Sequence, residues 1–266
     1  MKETIKGCIR NAAAIFGLTI NQMVEKKDLI DLITSLRPVK TNIDLIRFGS
    51  SSDGGYLIPD DLEGIVACFS PGVDKVSDFE RDCINTGIKV FMADKSVDKP
   101  DLSLDESMYS FIRKFIGATN DETYITMDKW VNDSLPSDNC DLILQMDIET
   151  SAYKSLINMS DRLLERFRII VIEFHYLHKL WEPLFFDFAS AVFNKILKSH
   201  YCVHIHPNNC NGVERLKGIE IPRVAEFSFI RKDRATVVGK VSKLPHELDR
   251  DNTSNSPIYL TKLWYS

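Results

Sequence analysis

The chain has 266 residues, with 33 basic and 38 acidic side chains and a net charge of −5. That balance excludes a globally cationic surface for nucleic acid and leaves only a local patch for such a partner. Its hydrophobic fraction of 44% and charged fraction of 27% exclude a disordered or collagen-like chain, and the length suits one α/β domain with appendages or two domains at about 150 residues each.

Residues 3–37 repeat apolar positions at helical spacing: Ile5, Ile9, Ala13 and Phe16, then Leu29, Leu32, Ile33 and Leu36. Gly17 and Thr19-Ile20-Asn21 should divide them into two helices, and Pro38 stops the second. Their apolar faces should pack on the body of the protein or form a homodimer surface. The apolar stretch 12–20 is short, broken by Gly17 and followed by no small-residue cleavage site, so no secretory leader is expected. No apolar run approaches the roughly 20 residues of a membrane span. Six cysteines without a CxxC pair read as thiols of a reducing compartment, and the expected location is cytoplasmic.

The run Ser50-Ser51-Ser52-Asp53-Gly54-Gly55-Tyr56 is too rich in glycine and serine for a regular element. Beyond it, β-branched or apolar runs predict strands at 64–69, 88–93, 123–127, 141–146, 168–174, 201–205 and 226–230. Helical patterns at 77–85, 107–115, 151–157 and 185–199 separate most of them. Alternation at this spacing predicts an α/β fold with a parallel sheet covered on both faces, whose ligand sits beyond the carboxyl ends of the strands. Residues 1–40 then read as a helical segment, 41–240 as the main domain and 241–266, rich in Asp, Asn and Ser, as an extended arm.

The strand ends carry the chemistry. The first ends in Ser70-Pro71-Gly72-Val73-Asp74, where a glycine allows close backbone approach to a ligand. The second ends at Asp94, 22 residues after Gly72, where a carboxylate can accept both ribose hydroxyls of an adenosine. The run 141–146 gives way to Asp147 and Glu149, acids that are costly beside an apolar strand unless they bind something. Glu173 and His175 share one face of the next strand, as do His204 and His206 before Pro207-Asn208-Asn209. Carboxylates with imidazoles suit a divalent cation, a general base, or a polar network without chemistry. The basic run Arg231-Lys232-Asp233-Arg234 reads as a solvated turn.

These segments, with Thr126-Met127-Asp128-Lys129-Trp130 and Gln145-Met146-Asp147-Ile148-Glu149, resemble the class I S-adenosylmethionine-dependent methyltransferases, most closely the FkbM-like group, from about Arg47 to Arg231. The resemblance implies a Rossmann-like fold with a seven-stranded, mostly parallel sheet whose last strand is antiparallel, and S-adenosylmethionine held by Asp53, Gly54, Gly55, Tyr56, Ser70, Pro71, Gly72, Asp74, Asp94, Lys95, Phe115 and Asp147. Lys114-Phe115-Ile116-Gly117 would flank the adenine. It also implies O-methylation of a sugar or glycoconjugate hydroxyl, of surface-polysaccharide or natural-product type, over Asp147, Glu173 and His175, with His204 or His206 as alternative bases. Asp147, Glu173 and His175 are then candidate ligands for Mg2+ or Mn2+. This chain departs from the family in having Gly72 alone in the first loop, Thr150 where Asp-x-Glu-Gly ends in glycine, and Tyr153 where an acid is expected. A nicotinamide-dependent sugar oxidoreductase is the rival enzyme, opposed by the missing GxGxxG. A non-catalytic binding module of the same fold is a further rival, and a metal-dependent hydrolase lacks a compact HExxH.

Overall fold

In the computed structural model, all residues are described except 1, 18–21, 74–76, 101–106, 136 and 138, with the backbone alone at 2–6 and 9. Seven strands form the central sheet: β1 (Ile65–Pro71), β2 (Lys89–Ala93), β3 (Tyr109–Ile112), β4 (Asp141–Met146), β5 (Phe167–Phe174), β6 (His200–Pro207) and β7 (Ala225–Arg231). Their order is β6-β7-β5-β4-β1-β2-β3. All run parallel except β7, which is antiparallel to both β5 and β6. Strands β4 and β5 are buried on both faces, which is why Leu142-Ile143-Leu144 and Ile169–Ile172 read as unbroken apolar runs.

The helices are α1 (Lys2–Ile15), α2 (Lys26–Ser35), α3 (Asp78–Asn85), α4 (Met127–Ser134), α5 (Ser151–Asn158), α6 (Asp161–Leu164) and α7 (Pro183–Ser199). Two segments depart from the sequence pattern. The expected helix 107–115 instead contains β3, whose Tyr109 to Ile112 pair with Val90 to Ala93 along the open edge of β2. Tyr109, Phe111 and Ile112 favour an extended pleat, and the edge pairing prevails over the helical spacing. The expected strand 123–127 pairs only Tyr124–Ile125 with Phe115–Ile116, outside the central sheet. Thr126 then accepts a hydrogen bond from the Lys129 amide at 3.3 Å and caps α4, a helix the periodicity did not reveal.

The two faces of the sheet are covered differently. On one, Phe69, Leu144, Ile172 and Phe227 pack under α2, α4, α5 and α7 through Leu29, Ile33, Trp130, Leu156 and Phe193. On the other, α3 places Phe79 and Cys83 against Cys68 and Val90, while the hairpin of Leu45–Gly49 and Gly55–Pro59 covers the remainder. The Ser228 hydroxyl donates to the Leu57 carbonyl at 2.5 Å, fastening the hairpin to β7. A hairpin takes the place expected of a helix there.

The C-terminal segment is fastened to this body. Val237–Lys240 pairs antiparallel with Val39–Thr41. Trp264 is fully buried and its indole donates to the Glu220 carbonyl at 3.0 Å. At the amino end of the sheet, Arg168 and Arg231 both bind the Asp141 carboxylate, and Arg234 pairs with Asp61. The basic run after β7 is thus part of a structural ion network rather than a solvated turn.

Candidate functional site

The order of the sheet reverses at β1, from which β2 and β3 lie one way and β4 and β5 the other. Ligands in open α/β sheets bind outside the carboxyl ends of the strands at such a point. A cleft of about 530 Å³ opens there, lined by Gly72, Asp94, Phe115, Asp147 and His175 among the expected residues, together with Ala93, Ser96, Ile116, Tyr124 and the 148–151 turn. That volume falls within the ordinary range for small-molecule sites.

Gly72 has φ of +85°, and a Cβ there would stand 1.9 Å from the Asp147 carbonyl oxygen. The Asp147 amide donates to the Pro71 carbonyl at 3.3 Å and the Gly72 amide to the Ala93 carbonyl at 3.0 Å. The glycine expected to let backbone approach a ligand here lets one strand-end loop lie against another. Asp94 is buried, and its Oδ1 accepts from the Ser96 amide at 2.7 Å and the Ser96 hydroxyl at 2.6 Å. Lys95 is engaged with the Thr123 hydroxyl at 2.8 Å. The Phe115 and Tyr124 rings, 5.9 Å apart, form the wall beyond Asp94.

On the β4 and β5 side, Asp147 Oδ1 lies 3.2 Å from His175 Nε2, and Glu173 lies 3.4 Å from the same nitrogen. One ligand atom from each residue falls within 4.8 Å of the others, so the three could hold one cation. Burial, and then the charges of Asp147, Glu226 and Asp53, push the Glu173 acid up to about 10; Asn208 donates to it at 3.1 Å. Glu149 closes this turn in the left-handed region at φ of 51°, where the family pattern would place its glycine one residue later. Tyr153 is buried among Phe174, Phe185, Phe188 and Phe193, and its hydroxyl donates to the His175 carbonyl at 2.9 Å. An aromatic core contact that braces His175 thus stands where an acid was expected.

Several expected residues do not line the cleft. Ser70 is buried, with its hydroxyl beside Glu80 and 2.7 Å from the Gln145 carbonyl; Gln145 donates to the Tyr56 hydroxyl at 3.3 Å. Burial raises the Glu80 acid to about 7, so near neutrality a protonated Glu80 can donate to Ser70 while Ser70 donates to Gln145. Asp53 accepts from Asn252 at 3.0 Å, and Gly54 and Gly55 shape the tip of the hairpin, where a Cβ on Gly55 would meet the Ser50 carbonyl at 1.9 Å. Asp74 lies outside the described residues.

His204 and His206 also lie apart from the cleft lining, on a polar row crossing three strands. Glu173 faces Glu226 in the register of β5 and β7, and Glu226 faces His206 of β6. His204 Nε2 is 2.8 Å from Asp249 Oδ1. Burial lowers the His204 imidazole despite that carboxylate; on His206, burial acts the same way but Asp249, Glu226 and Asp251 outweigh it and raise the imidazole. Burial would raise Asp249, but the two histidines hold it well below the usual carboxylate range. Sequence reasoning missed Asp249, Ser96 and Tyr124. No local pattern marks Asp249, since the arm that carries it looks like any polar loop.

A scan against protein-family models and a search of curated proteins find no match to this chain.

Proposed function

We propose that the protein is an S-adenosylmethionine-dependent methyltransferase acting on a hydroxyl of a sugar or glycoconjugate. The observation that carries this reading is one cleft at the sheet's reversal point that sets Gly72 and Asp94 beside Asp147 and His175. The antiparallel β7 that the family resemblance implies gives further support.

The residues present fit the cofactor. A buried carboxylate at the end of β2 suits ribose hydroxyls, and the Phe115 and Tyr124 rings offer flat apolar surface for an adenine. S-adenosylmethionine, when bound, supplies an electrophilic methyl group for in-line displacement. The chain's task is to align the acceptor and remove its hydroxyl proton. His175, held by Asp147 at its ring and by Tyr153 at its carbonyl, is the positioned base at the cleft. With Mg2+ or Mn2+ held by Asp147, Glu173 and His175 instead, the His175 ring would serve as a ligand and the ion's charge, in place of a histidine base, would lower the acceptor's pKa. An acid-lined cleft suits a neutral acceptor and not nucleic acid. No helix among the described residues is long and apolar enough to cross a membrane. The six cysteines without a CxxC pair support a cytoplasmic location. Ile15 and Phe16, 82% and 80% exposed at the end of α1, support a homodimer through that helix.

Calorimetric titration of the full chain with S-adenosylmethionine tests the reading, with NAD+ as the parallel ligand. Binding of S-adenosylmethionine alone, weakened at least tenfold in Asp94→Ala, is expected. Preferential binding of NAD+ would favour the oxidoreductase. A folded protein that binds neither would refute both enzymes and favour a binding module.

A further inference from the structure

We infer that His204, His206 and Asp249 form a binding site for a zinc-type divalent cation, separate from the cleft, which clamps the C-terminal arm to the sheet. Ligand atoms from the three residues lie within 4.8 Å of one another. Asp249 Oδ1 is 2.8 Å from His204 Nε2, and Asp249 Oδ2 is 3.6 Å from His206 Nδ1. Tetrahedral ligands about 2.0–2.1 Å from zinc sit roughly 3.3 Å from each other, close to the spacing of each histidine from the carboxylate oxygen nearest it. Two imidazoles with one carboxylate form a borderline donor set, suited to zinc rather than to magnesium or calcium.

A second observation points to a ligand. His206 is buried, its side chain 8% exposed, yet neither ring nitrogen has a hydrogen-bond partner. An unsatisfied buried imidazole is destabilising, and its 3.6 Å approach to Asp249 is too long for a hydrogen bond. A cation between the two would give His206 Nδ1 the partner it lacks. The supporting groups are in place: the His246 amide donates to Asp249 Oδ2 at 2.7 Å and orients it. Glu226, opposite His206 in the register, accepts from Asn252 of the arm at 2.7 Å, so the arm is tied to the same polar row. His204 and His206 alternate with Val203 and Ile205 on one rigid strand, so two ligands are preorganised and the arm delivers the third.

The test uses the full chain, stripped with a chelator and titrated with Zn2+ or Co2+. One Zn2+ per chain is expected at this site, and it should persist in Asp147→Asn/His175→Gln, which removes the cleft ligands. Affinity should fall at least tenfold in Asp249→Asn and in His206→Gln, and zinc should raise the melting temperature of the wild type but not of those variants. The Co2+ adduct of the wild type, which needs no substitution, should show the intense visible bands of four-coordinate cobalt. Failure of Asp147→Asn/His175→Gln to bind zinc, a pale six-coordinate Co2+ spectrum, or zinc binding indifferent to Asp249→Asn would each overturn the inference. None of these outcomes bears on whether the cleft binds S-adenosylmethionine.

Discussion

Replacing Gly72 by alanine probes the joint on which the cleft depends. Two costs add at this position. The φ of +85° is unfavourable for any L side chain, by about 1–2 kcal/mol. The new Cβ would also stand 1.9 Å from the Asp147 carbonyl oxygen and 2.8 Å from its carbon. A relaxed C···O contact is about 3.3 Å or more, so the β1 and β4 loops must part by roughly 1.4 Å. Both partners are backbone and no rotamer relieves the clash, which adds about 1–3 kcal/mol on the scale of overpacked interiors. The lower unfolded-state entropy of alanine returns about 0.4–1 kcal/mol. The net destabilisation is about 2–4 kcal/mol, or about 4–7 °C in melting temperature for a chain of 266 residues with about 2.1 cal/mol/K of unfolding entropy per residue. Gly87→Ala is the control: its φ is +83°, but nothing lies within 4 Å of the new Cβ. It should cost about 1 kcal/mol. Differential scanning calorimetry of both variants isolates the clash, and titration with S-adenosylmethionine should show Gly72→Ala at least tenfold weaker. If the two variants melt within about 2 °C of each other, the account of the loop contact is wrong.

Two further substitutions test the buried polar groups. Burial raises the folded-state Glu80 acid from 4.5 to about 7, so the native protein binds this proton more tightly than the unfolded chain does. The stability so contributed is complete below about pH 4.5 and is lost as pH rises through 7. Glu80→Gln should leave the melting temperature near pH 4.5 little changed and gain about 3 kcal/mol on the wild type by pH 8. Parallel pH profiles for the two proteins would refute the assignment. Tyr153→Phe keeps the ring among its four phenylalanine neighbours but removes the donor to the His175 carbonyl. It should cost about 1–2 kcal/mol in chemical denaturation, and an unchanged midpoint would show that the hydroxyl braces nothing.

Much of the molecule is legible along the chain, for a physical reason. Strands buried on both faces must be apolar throughout, so Asp141–Met146 and Phe167–Phe174 announce themselves, and the polar residues that follow them mark where the cleft must lie. Asp147 and His175 lie where these two apolar strands stop, Gly72 and Asp94 where the strands Ile65–Pro71 and Lys89–Ala93 stop, and all four line one cleft. The exposed edge that recruited Tyr109–Ile112 into β3, and the hairpin that replaced a helix over β5 to β7, depend on what stands opposite, which local periodicity does not encode. The same holds for polar convergence. Period-two alternation puts His204 and His206 on one face of a strand, but it cannot say that Asp249 completes their cluster from 45 residues beyond His204. Nor can it say that Gly72 makes room for the Asp147 carbonyl. Burial imposes its period on neighbouring residues, whereas a site gathers side chains whose separation along the chain is arbitrary, so only the tertiary structure decides which of them meet.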